Sequence, residues 1–230
     1  MDKKKTLKII KIGGNVIDDP MALKSFLRTV STVQGPKILV HGGGKSATAL
    51  AEQTGLKVKM IEGRRVTDAV TLELITMVYA GKINKRLVAQ LQALKCNAVG
   101  FTGADGNTIS AEKRPVSSID YGFVGDVKNV ETSTLHLLLN QSICPVFCAI
   151  THDNKGQLLN TNADTIASEL AIAFANQYQV ELYYCFEKKG VLKDINDDNS
   201  VIQTITKSSY KKLLETQLIF SGMLPKLNNC

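Results

Sequence analysis

Apolar runs rich in β-branched residues alternate along the chain with segments whose apolar residues recur at helical spacing. The run KIIKIGG at residues 8–14 is typical of a buried strand that ends in glycines, and KILVH at residues 37–41 is typical of a second strand. Between them, Asp19 and Pro20 are residue types preferred at a helix N-cap and at the first helical position. The order strand, helix, strand predicts an α/β fold with a mainly parallel sheet.

The same two patterns continue towards the end of the chain. Helical spacing runs from about Asp68 to Lys95, whereas residues 97–130 contain five glycines between short β-prone stretches, which favours strands and hairpins. Neither an internal repeat nor a linker interrupts the pattern, so we expect two lobes that share one continuous sheet. The later predicted elements are helix 133–141, strand 143–150, helix 163–176, strand 180–186 and helix 208–216.

Composition and charge narrow the class of protein. The 230 residues carry a formal net charge of +7 with scattered lysines, a surface that could bind nucleic acid and that serves an acidic small molecule equally well. Of the two partners, we expect the acidic small molecule and no nucleic acid. The five cysteines contain no CxxC pair, which favours buried reduced thiols, and no metal site is predicted. No segment approaches the roughly 18 apolar residues of a membrane span. Because the first residues also lack a secretory signal, we expect a cytoplasmic protein without membrane contact.

The stretch HGGGKSATAL at residues 41–50 is the strongest local motif. It fails as a P-loop because the first glycine of GxxxxGK[ST] would fall at Leu39, inside the strand, and it fails as an oxyanion loop because the chain has no GxSxG. A dinucleotide-binding turn, with Glu62 as the ribose acceptor, survives, as does a tight turn that binds nothing. Gly42, Gly44 and Ala47 satisfy the dinucleotide pattern, which is weak evidence alone.

Other residues indicate that the turn binds an anion. Gly13 and Gly14 close the first strand in the same way, and two such turns offer backbone N–H donors at helix N-termini. Lys11 interrupts an apolar strand, so we expect its charge to point inward towards a partner. The segment NTNAD at residues 160–164 supplies three polar side chains before an apolar helix, and an N-cap accounts for one of them.

Six motifs in order resemble the amino acid kinase family, and within it the branch that phosphorylates N-acylglutamates. The resemblance extends from residue 7 to the last residue. The six motifs are KIGGN, LVHGGG, EGRRVTD, YGFVGDVKNV, GQLLNTNAD and SGMLPK. The resemblance implies a three-layer αβα sandwich, with residues 1–150 binding the acylamino acid and residues 151–230 binding ATP. The implied reaction transfers the γ-phosphoryl group of MgATP to a side-chain carboxylate.

The resemblance also implies a role for each matching residue. Lys11 and Lys226 resemble two lysines that flank the phosphoryl group in flight, and Asp164 resembles the carboxylate that holds both. Arg65 corresponds to the arginine that binds the substrate α-carboxylate, and Asn160 to the asparagine at its other end. The resemblance implies that the backbone N–H groups of four glycines donate to bound anions. Those of Gly13 and Gly14 would bind the phosphates, and those of Gly43 and Gly44 would bind both the phosphates and the substrate.

Two features depart from the family pattern. The segment FEKKG at residues 186–190 has Glu187 where the family has an aspartate, and we expect Lys188 or Lys189 to contact a nucleotide phosphate. The chain stops four residues after Lys226, where the family continues through a helix and a strand, so the nucleotide lobe is expected to be incomplete.

Assembly and specificity follow from the same comparison. Few residues precede the first strand, so we expect a homodimer, formed through the long helix from Asp68, with weak or absent arginine feedback. Acetyl is the expected acyl group, and a longer group such as succinyl stays open. Two alternatives of other classes are a nicotinamide-dependent oxidoreductase and a sensor without catalysis.

Overall fold

Five parallel strands form the central sheet of the computed structural model, which describes residues 4–61, 64–194 and 196–215. Their order across the sheet is β11 (Gln179–Cys185), β1 (Thr6–Ile12), β2 (Lys37–His41), β8 (Cys144–Phe147) and β5 (Ala98–Phe101). The inner strands are apolar on both faces and buried, as expected for parallel strands covered by helices.

Helices pack against this sheet and complete the fold. Helix α7 (Ala163–Phe174) packs on β1, β2 and β11, whereas α5 (Asn84–Ala93) packs on β5 and β8. The predicted three-layer αβα sandwich with a mainly parallel sheet is confirmed. The helices are α1 (Gly14–Asp18), α2 (Pro20–Thr32), α3 (Gly44–Gln53), α4 (Ala69–Thr76), α5 (Asn84–Ala93), α6 (Ser133–Asn140), α7 (Ala163–Phe174) and α8 (Lys207–Glu215).

A second, four-stranded sheet contains two of the three strands that form between residues 97 and 130, and the third, β5, belongs to the central sheet. The order of the second sheet is β10 (Leu158–Asn160), β9 (Ile150–His152), β6 (Ile109–Lys113) and β7 (Gly125–Val130), and β6 pairs with β7 antiparallel. The single strand predicted at 143–150 is wrong, because the chain leaves the central sheet after β8 and enters this sheet as β9. A two-stranded ladder joins β3 (Met60–Ile61) to β4 (Arg64–Arg65).

The chain separates into two compact units, residues up to Cys185 and residues from Phe186. The second unit contains a bridge between Leu192 and Val201 and the helix α8. The boundary expected after residue 150 is a different one, because it separates the residues expected to bind the acylamino acid from those expected to bind ATP. That assignment stays a prediction. None of the helices in the described part of the chain has the length and apolar character needed to cross a membrane.

The helix that begins at Asp68 contains an element that its spacing did not predict. Asp68 caps α4 by accepting a hydrogen bond from the Thr71 N–H at 2.8 Å, and α5 ends at Ala93, close to the predicted end. Between α4 and α5, residues Met77–Ile83 form a π-helical segment. Such segments are rare and occur frequently at functional sites. A second unpredicted element is the short helix α1, which precedes the predicted N-cap Asp19.

The π-helical segment packs directly against the glycine turn after β2. A β-carbon added to Gly43 would overlap the Cδ1 atom of Ile83 and would lie 2.9 Å from Cδ1 of Tyr79. Gly44 has no heavy atom within 4 Å of the corresponding position. Glycine at 43 therefore permits the close approach of two elements that are distant in the chain.

We expect Gly43→Ala to lower the free energy of unfolding by about 1–3 kcal/mol, because the methyl group overpacks this contact. Gly44→Ala is the matched control and should change stability by less than about 0.5 kcal/mol. Urea unfolding followed by circular dichroism measures both. Equal stabilities for the two variants would contradict the packing argument.

Candidate functional site

The carboxyl ends of β1 and β2 lie side by side and carry both glycine turns. Ile12 pairs with His41 at the last register position of these strands. Helix α1 begins at Gly14 and α3 begins at Gly44, so two helix N-termini start at the same edge of the sheet. The first N–H groups of a helix have no intrahelical partner, and together with the helix dipole they favour an anion at this edge.

The glycines of the two turns differ in whether their N–H groups already donate a hydrogen bond within the protein. The Gly13 N–H donates to the Cys185 carbonyl at 2.8 Å, so the sheet already uses this predicted phosphate donor. Gly14 and Gly44 each occupy the first position of a helix, and Gly43 precedes α3 directly. The expected row of donors is therefore best supplied by Gly14, Gly43 and Gly44.

Lys11 and Asp164 form a buried ion pair at this edge. The Nζ atom of Lys11 lies 2.7 Å from Oδ1 of Asp164, and their side chains are 10% and 9% exposed. Removing one partner of such a pair would leave a buried charge uncompensated, which costs far more than the pair itself contributes. Lys11 therefore points inward, as expected for a charge inside an apolar strand, and its partner is the Asp164 carboxylate of the NTNAD segment. Lys226 lies outside the described residues.

The three polar residues of NTNAD have three different contacts. Asn162 is the N-cap of α7, because its Oδ1 accepts the N–H of Asp164 at 2.7 Å and of Thr165 at 3.3 Å. Asn160 donates from Nδ2 to Thr67 Oγ1 at 3.0 Å. Asp164 contacts Lys11 from the first turn of α7. The cap thus accounts for one residue, and the other two face the glycine edge and the adjoining pocket.

A pocket of about 180 Å³ opens beside the glycine turn. It lies entirely within the first unit, between the start of α3, the ladder of β3 and β4, and the segment before α7. Three arginines give it a positive lining, and Arg64 is exposed at its wall. Its polar lining includes Gly44, Arg64, Arg65, Tyr79, Arg114 and Asn160.

Arg65 is 7% exposed and is fixed by one half of its guanidinium group. Its Nη2 donates to the Gly44 carbonyl at 2.9 Å and to Thr48 Oγ1 at 2.8 Å. Its Nη1 is buried and has no hydrogen-bond partner among the described residues. An unsatisfied buried donor is costly, and a planar guanidinium suits a carboxylate, so an anionic ligand would satisfy this atom.

Sequence reasoning missed two residues of this pocket. Tyr79 comes from the π-helical segment, and burial raises the pKa of its hydroxyl group, an effect that neighbouring Arg65 partly offsets. Arg114 follows β6 and forms a bidentate ion pair with Asp126 of β7, while its Nη1 is buried and unpaired among the described residues. In the sequence, Arg114 could have been found only as a charge that pairs with Asp126 across a predicted hairpin. The register of that hairpin, which decides which residues face each other, was unknown.

The residues expected to contact the nucleotide lie in the second unit. Lys188 forms an exposed ion pair with Asp198 at 2.9 Å, and both Glu187 and Lys189 are exposed. Exposed pairs of this kind contribute little to stability. The exposure of Lys188 and Lys189 is compatible with contacts to a ligand, and the nucleotide role of Glu187, Lys188 and Lys189 stays a prediction.

A larger cavity of about 690 Å³ lies at the opposite, amino-terminal ends of the strands. Two of its four lysines point towards carbonyl groups just after the C-terminus of α2: Lys8 Nζ donates to the Gln34 carbonyl at 3.2 Å, and Lys37 donates to the Val33 carbonyl. Helix C-termini carry partial negative charge, which accounts for these two lysines without a ligand. The smaller pocket at the glycine edge is therefore the candidate site.

The chain is similar to several known proteins. The chain is 54% identical to the acetylglutamate kinase of Cytophaga hutchinsonii over 224 residues, which cover 97% of this chain and 85% of the relative. It is 54% identical to the acetylglutamate kinase of Phocaeicola vulgatus over 226 residues, which cover 98% and 88%. The crystal structure of smu.665 from Streptococcus mutans is 25% identical, with a TM-score of 0.78 and coverage of 97% and 88%.

The model of the amino acid kinase family matches residues 6–230. This match covers both glycine turns, Lys11, Arg65 and the NTNAD segment. The resemblance noted from the six motifs is confirmed, and the chain belongs to the amino acid kinase family.

Proposed function

We propose that this protein transfers the γ-phosphoryl group of ATP to the side-chain carboxylate of N-acetyl-L-glutamate, giving an acyl phosphate in arginine biosynthesis. The relatives named acetylglutamate kinase, more than half identical along nearly the whole chain, support this assignment. The observation that carries it is the buried pair of Lys11 and Asp164 beside two helix N-termini. We place the protein in the cytoplasm, where ATP is available.

The chemistry requires fixed positive charge rather than a nucleophile. Phosphoryl transfer passes through a loose transition state, so catalysis depends on positioning and on electrostatic stabilisation. The attacking carboxylate is already ionised at neutral pH, and no general base is needed. Lys11 neutralises charge on the transferring group, Asp164 fixes the position of Lys11, and Lys226 acts as the second ammonium group. The N–H groups of Gly14, Gly43 and Gly44 complete the anion-binding edge.

The pocket beside this edge binds the acylamino acid in the proposal. Arg65 uses its unpaired Nη1 to bind the α-carboxylate, and Asn160 contacts the opposite end of the molecule. Residues 1–150 thus supply most of the acceptor site, and residues 151–230 bind ATP through contacts that include Glu187, Lys188 and Lys189.

Mg²⁺ enters this scheme as the complex with ATP. Among the described residues, no group of three His, Cys, Asp or Glu side chains could hold a metal ion. Mg²⁺ commonly keeps several waters and binds substrate phosphates, so a dedicated protein cage is not required. The metal neutralises phosphate charge when bound, and we assign it no ligand from this chain.

Replacing Lys11 by Met should lower kcat by about 100-fold or more while KM for the acyl substrate changes by less than about threefold, because its contact strengthens as charge develops. Lys8→Met, at the opposite end of the same strand, is the control and should keep wild-type turnover. A coupled assay of ADP release measures both variants.

The same assay tests the reaction itself with N-acetylglutamate, N-succinylglutamate, free glutamate and aspartate as acceptors. If the wild-type protein phosphorylates neither of the two acylated substrates, the proposed function is refuted. Wild-type rates in Lys11→Met would instead refute the role of Lys11 alone.

A second acyl group is favoured by one observation: Nη1 of Arg114, in the substrate pocket, has no hydrogen-bond partner among the described residues. N-acetylglutamate offers two carboxylates, one bound by Arg65 and one that is phosphorylated. N-succinylglutamate carries a third, which would satisfy Arg114. This substrate undergoes the same chemistry and is the alternative that we retain.

If the succinyl carboxylate binds Arg114, then Arg114→Gln should lower kcat/KM for N-succinylglutamate by about 10- to 100-fold, the value of a charged hydrogen bond. The change for N-acetylglutamate should stay below about threefold. Lys113→Gln removes a neighbouring charge that does not line the pocket and serves as the control. Equal losses for both substrates would assign Arg114 a structural role and leave acetyl as the acyl group.

We also propose a homodimer formed through the α4 surface and the π-helical segment. Val70 and Met77 are 53% and 63% exposed there, and an adjoining apolar groove of about 610 Å³ includes Leu72, Phe123 and Leu158. Exposed apolar side chains beside a groove are typical of an interaction surface.

The double variant Val70→Glu, Met77→Glu should shift the protein from dimer to monomer in sedimentation velocity, since it places charge in the apolar contact. Leu137→Glu changes an equally exposed leucine on α6 and should leave the dimer intact. A wild-type monomer or hexamer, or a dimer that survives the double substitution, would contradict this interface.

A further inference from the structure

A buried polar network lies directly behind the glycine turn. His41 is the last residue of β2 and is 0% exposed, and Asn84 is the first residue of α5 and is 1% exposed. The Nδ1 atom of His41 lies 2.7 Å from the Gly42 carbonyl, and its Nε2 lies 3.1 Å from Nδ2 of Asn84. Asn84 Nδ2 also donates to the Val146 carbonyl of β8 at 2.8 Å. None of these four residues belongs to the ligand contacts proposed above.

The hydrogen-bond partners determine where the protons lie. Because the Val146 carbonyl only accepts, the atom of Asn84 facing it is the amide nitrogen, which therefore also donates to His41. Nε2 of His41 then has to be the acceptor, and Nδ1 carries the proton that is donated to the Gly42 carbonyl. Burial lowers the pKa of His41 to about 4, so the ring is neutral at physiological pH.

Because a peptide is planar, the hydrogen bond from His41 to the Gly42 carbonyl also determines where the Gly43 N–H points. The carbonyl of Gly42 and the N–H of Gly43 belong to one planar trans peptide and point in opposite directions. The carbonyl is held on the His41 side, so the Gly43 N–H is turned away from the core. The next two carbonyls are also occupied, since Gly43 accepts from Ala47 N at 3.0 Å and Gly44 accepts from Arg65.

We infer that His41 and Asn84 are positioning residues that fix the peptide between Gly42 and Gly43, so that the Gly43 N–H faces the transferring phosphoryl group. This inference rests on the proposed function. The π-helical segment contributes by bringing Tyr79 and Ile83 against Gly43 and by placing Asn84 opposite His41. Gly100 leaves the space that the Asn84 amide occupies, because a β-carbon there would overlap Asn84 Oδ1.

Two substitutions of His41 separate the two ring nitrogens. His41→Asn places an amide nitrogen close to the position of Nδ1, where it can still donate to the Gly42 carbonyl. His41→Gln reaches the Nε2 position and keeps a partner for Asn84 but loses the donor to Gly42. Both remove ring volume from the same buried site, so their effects on stability should be similar and serve as the internal control.

We expect His41→Gln to lower kcat by about 10- to 100-fold with KM for the acyl substrate changed by less than about threefold, since the misaligned donor acts on the phosphoryl group and not on the acceptor. His41→Asn should recover most of the wild-type kcat. Equal kcat values in two variants of equal stability would overturn the inference.

Two measurements that do not require enzyme activity test the inference independently of the proposed reaction. Calorimetry with inorganic phosphate should give similar affinity for wild type and His41→Asn and about tenfold weaker binding for His41→Gln. Nitrogen-15 NMR of the wild-type protein should show His41 protonated on Nδ1. Equal phosphate binding by all three proteins, or a proton on Nε2, would overturn the inference even if the enzyme acts on another substrate.

Discussion

The ion pair between Lys11 and Asp164 sets the strictest requirement on the rest of the structure. Two charges about one-tenth exposed are tolerated only if each side chain is held in contact with the other. Lys11 is fixed because β1 is an inner strand, hydrogen-bonded on both sides by β2 and β11. Asp164 is fixed because α7 packs on the same strands and begins at the Asn162 cap. The apolar core therefore determines the geometry of a charged contact at its edge.

The glycine edge depends on a second constraint, which is the close approach of chain segments from behind. Gly43 admits Tyr79 and Ile83, Gly100 admits Asn84, and both contacts come from the region where the helix becomes π-helical. A regular α-helix of the same sequence would place these side chains at different angles around its axis. The irregular segment thus connects the longest helical region of the described chain to the glycine turn after β2.

Much of this arrangement could be predicted from local sequence. Apolar runs gave the parallel strands, Asp19 and Asp68 marked helix starts through their capping chemistry, and the lysine inside an apolar strand indicated a buried partner. The π-helical segment was not predictable, because its apolar spacing differs little from that of an α-helix. The unpaired Nη1 atoms of Arg65 and Arg114 could not be foreseen either, since they arise from how distant elements meet.

The cationic groups of the site fall into two sets with different tasks. Two unit negative charges about 4 Å apart repel by about 4 kcal/mol at an effective dielectric constant near 20, so bringing a carboxylate to a phosphate needs positive charge on both. The arginines line the pocket, where, in the proposed reaction, they would lower the cost of holding the acceptor. Lys11 lies at the glycine edge beside this pocket, where the proposal places the charge that moves during transfer. An ammonium group suits that place because it is a compact charge with freely rotating donors, whereas the planar arginine fork suits a carboxylate that does not move. The division between lysine and arginine therefore follows from which anion changes its charge distribution and which keeps it.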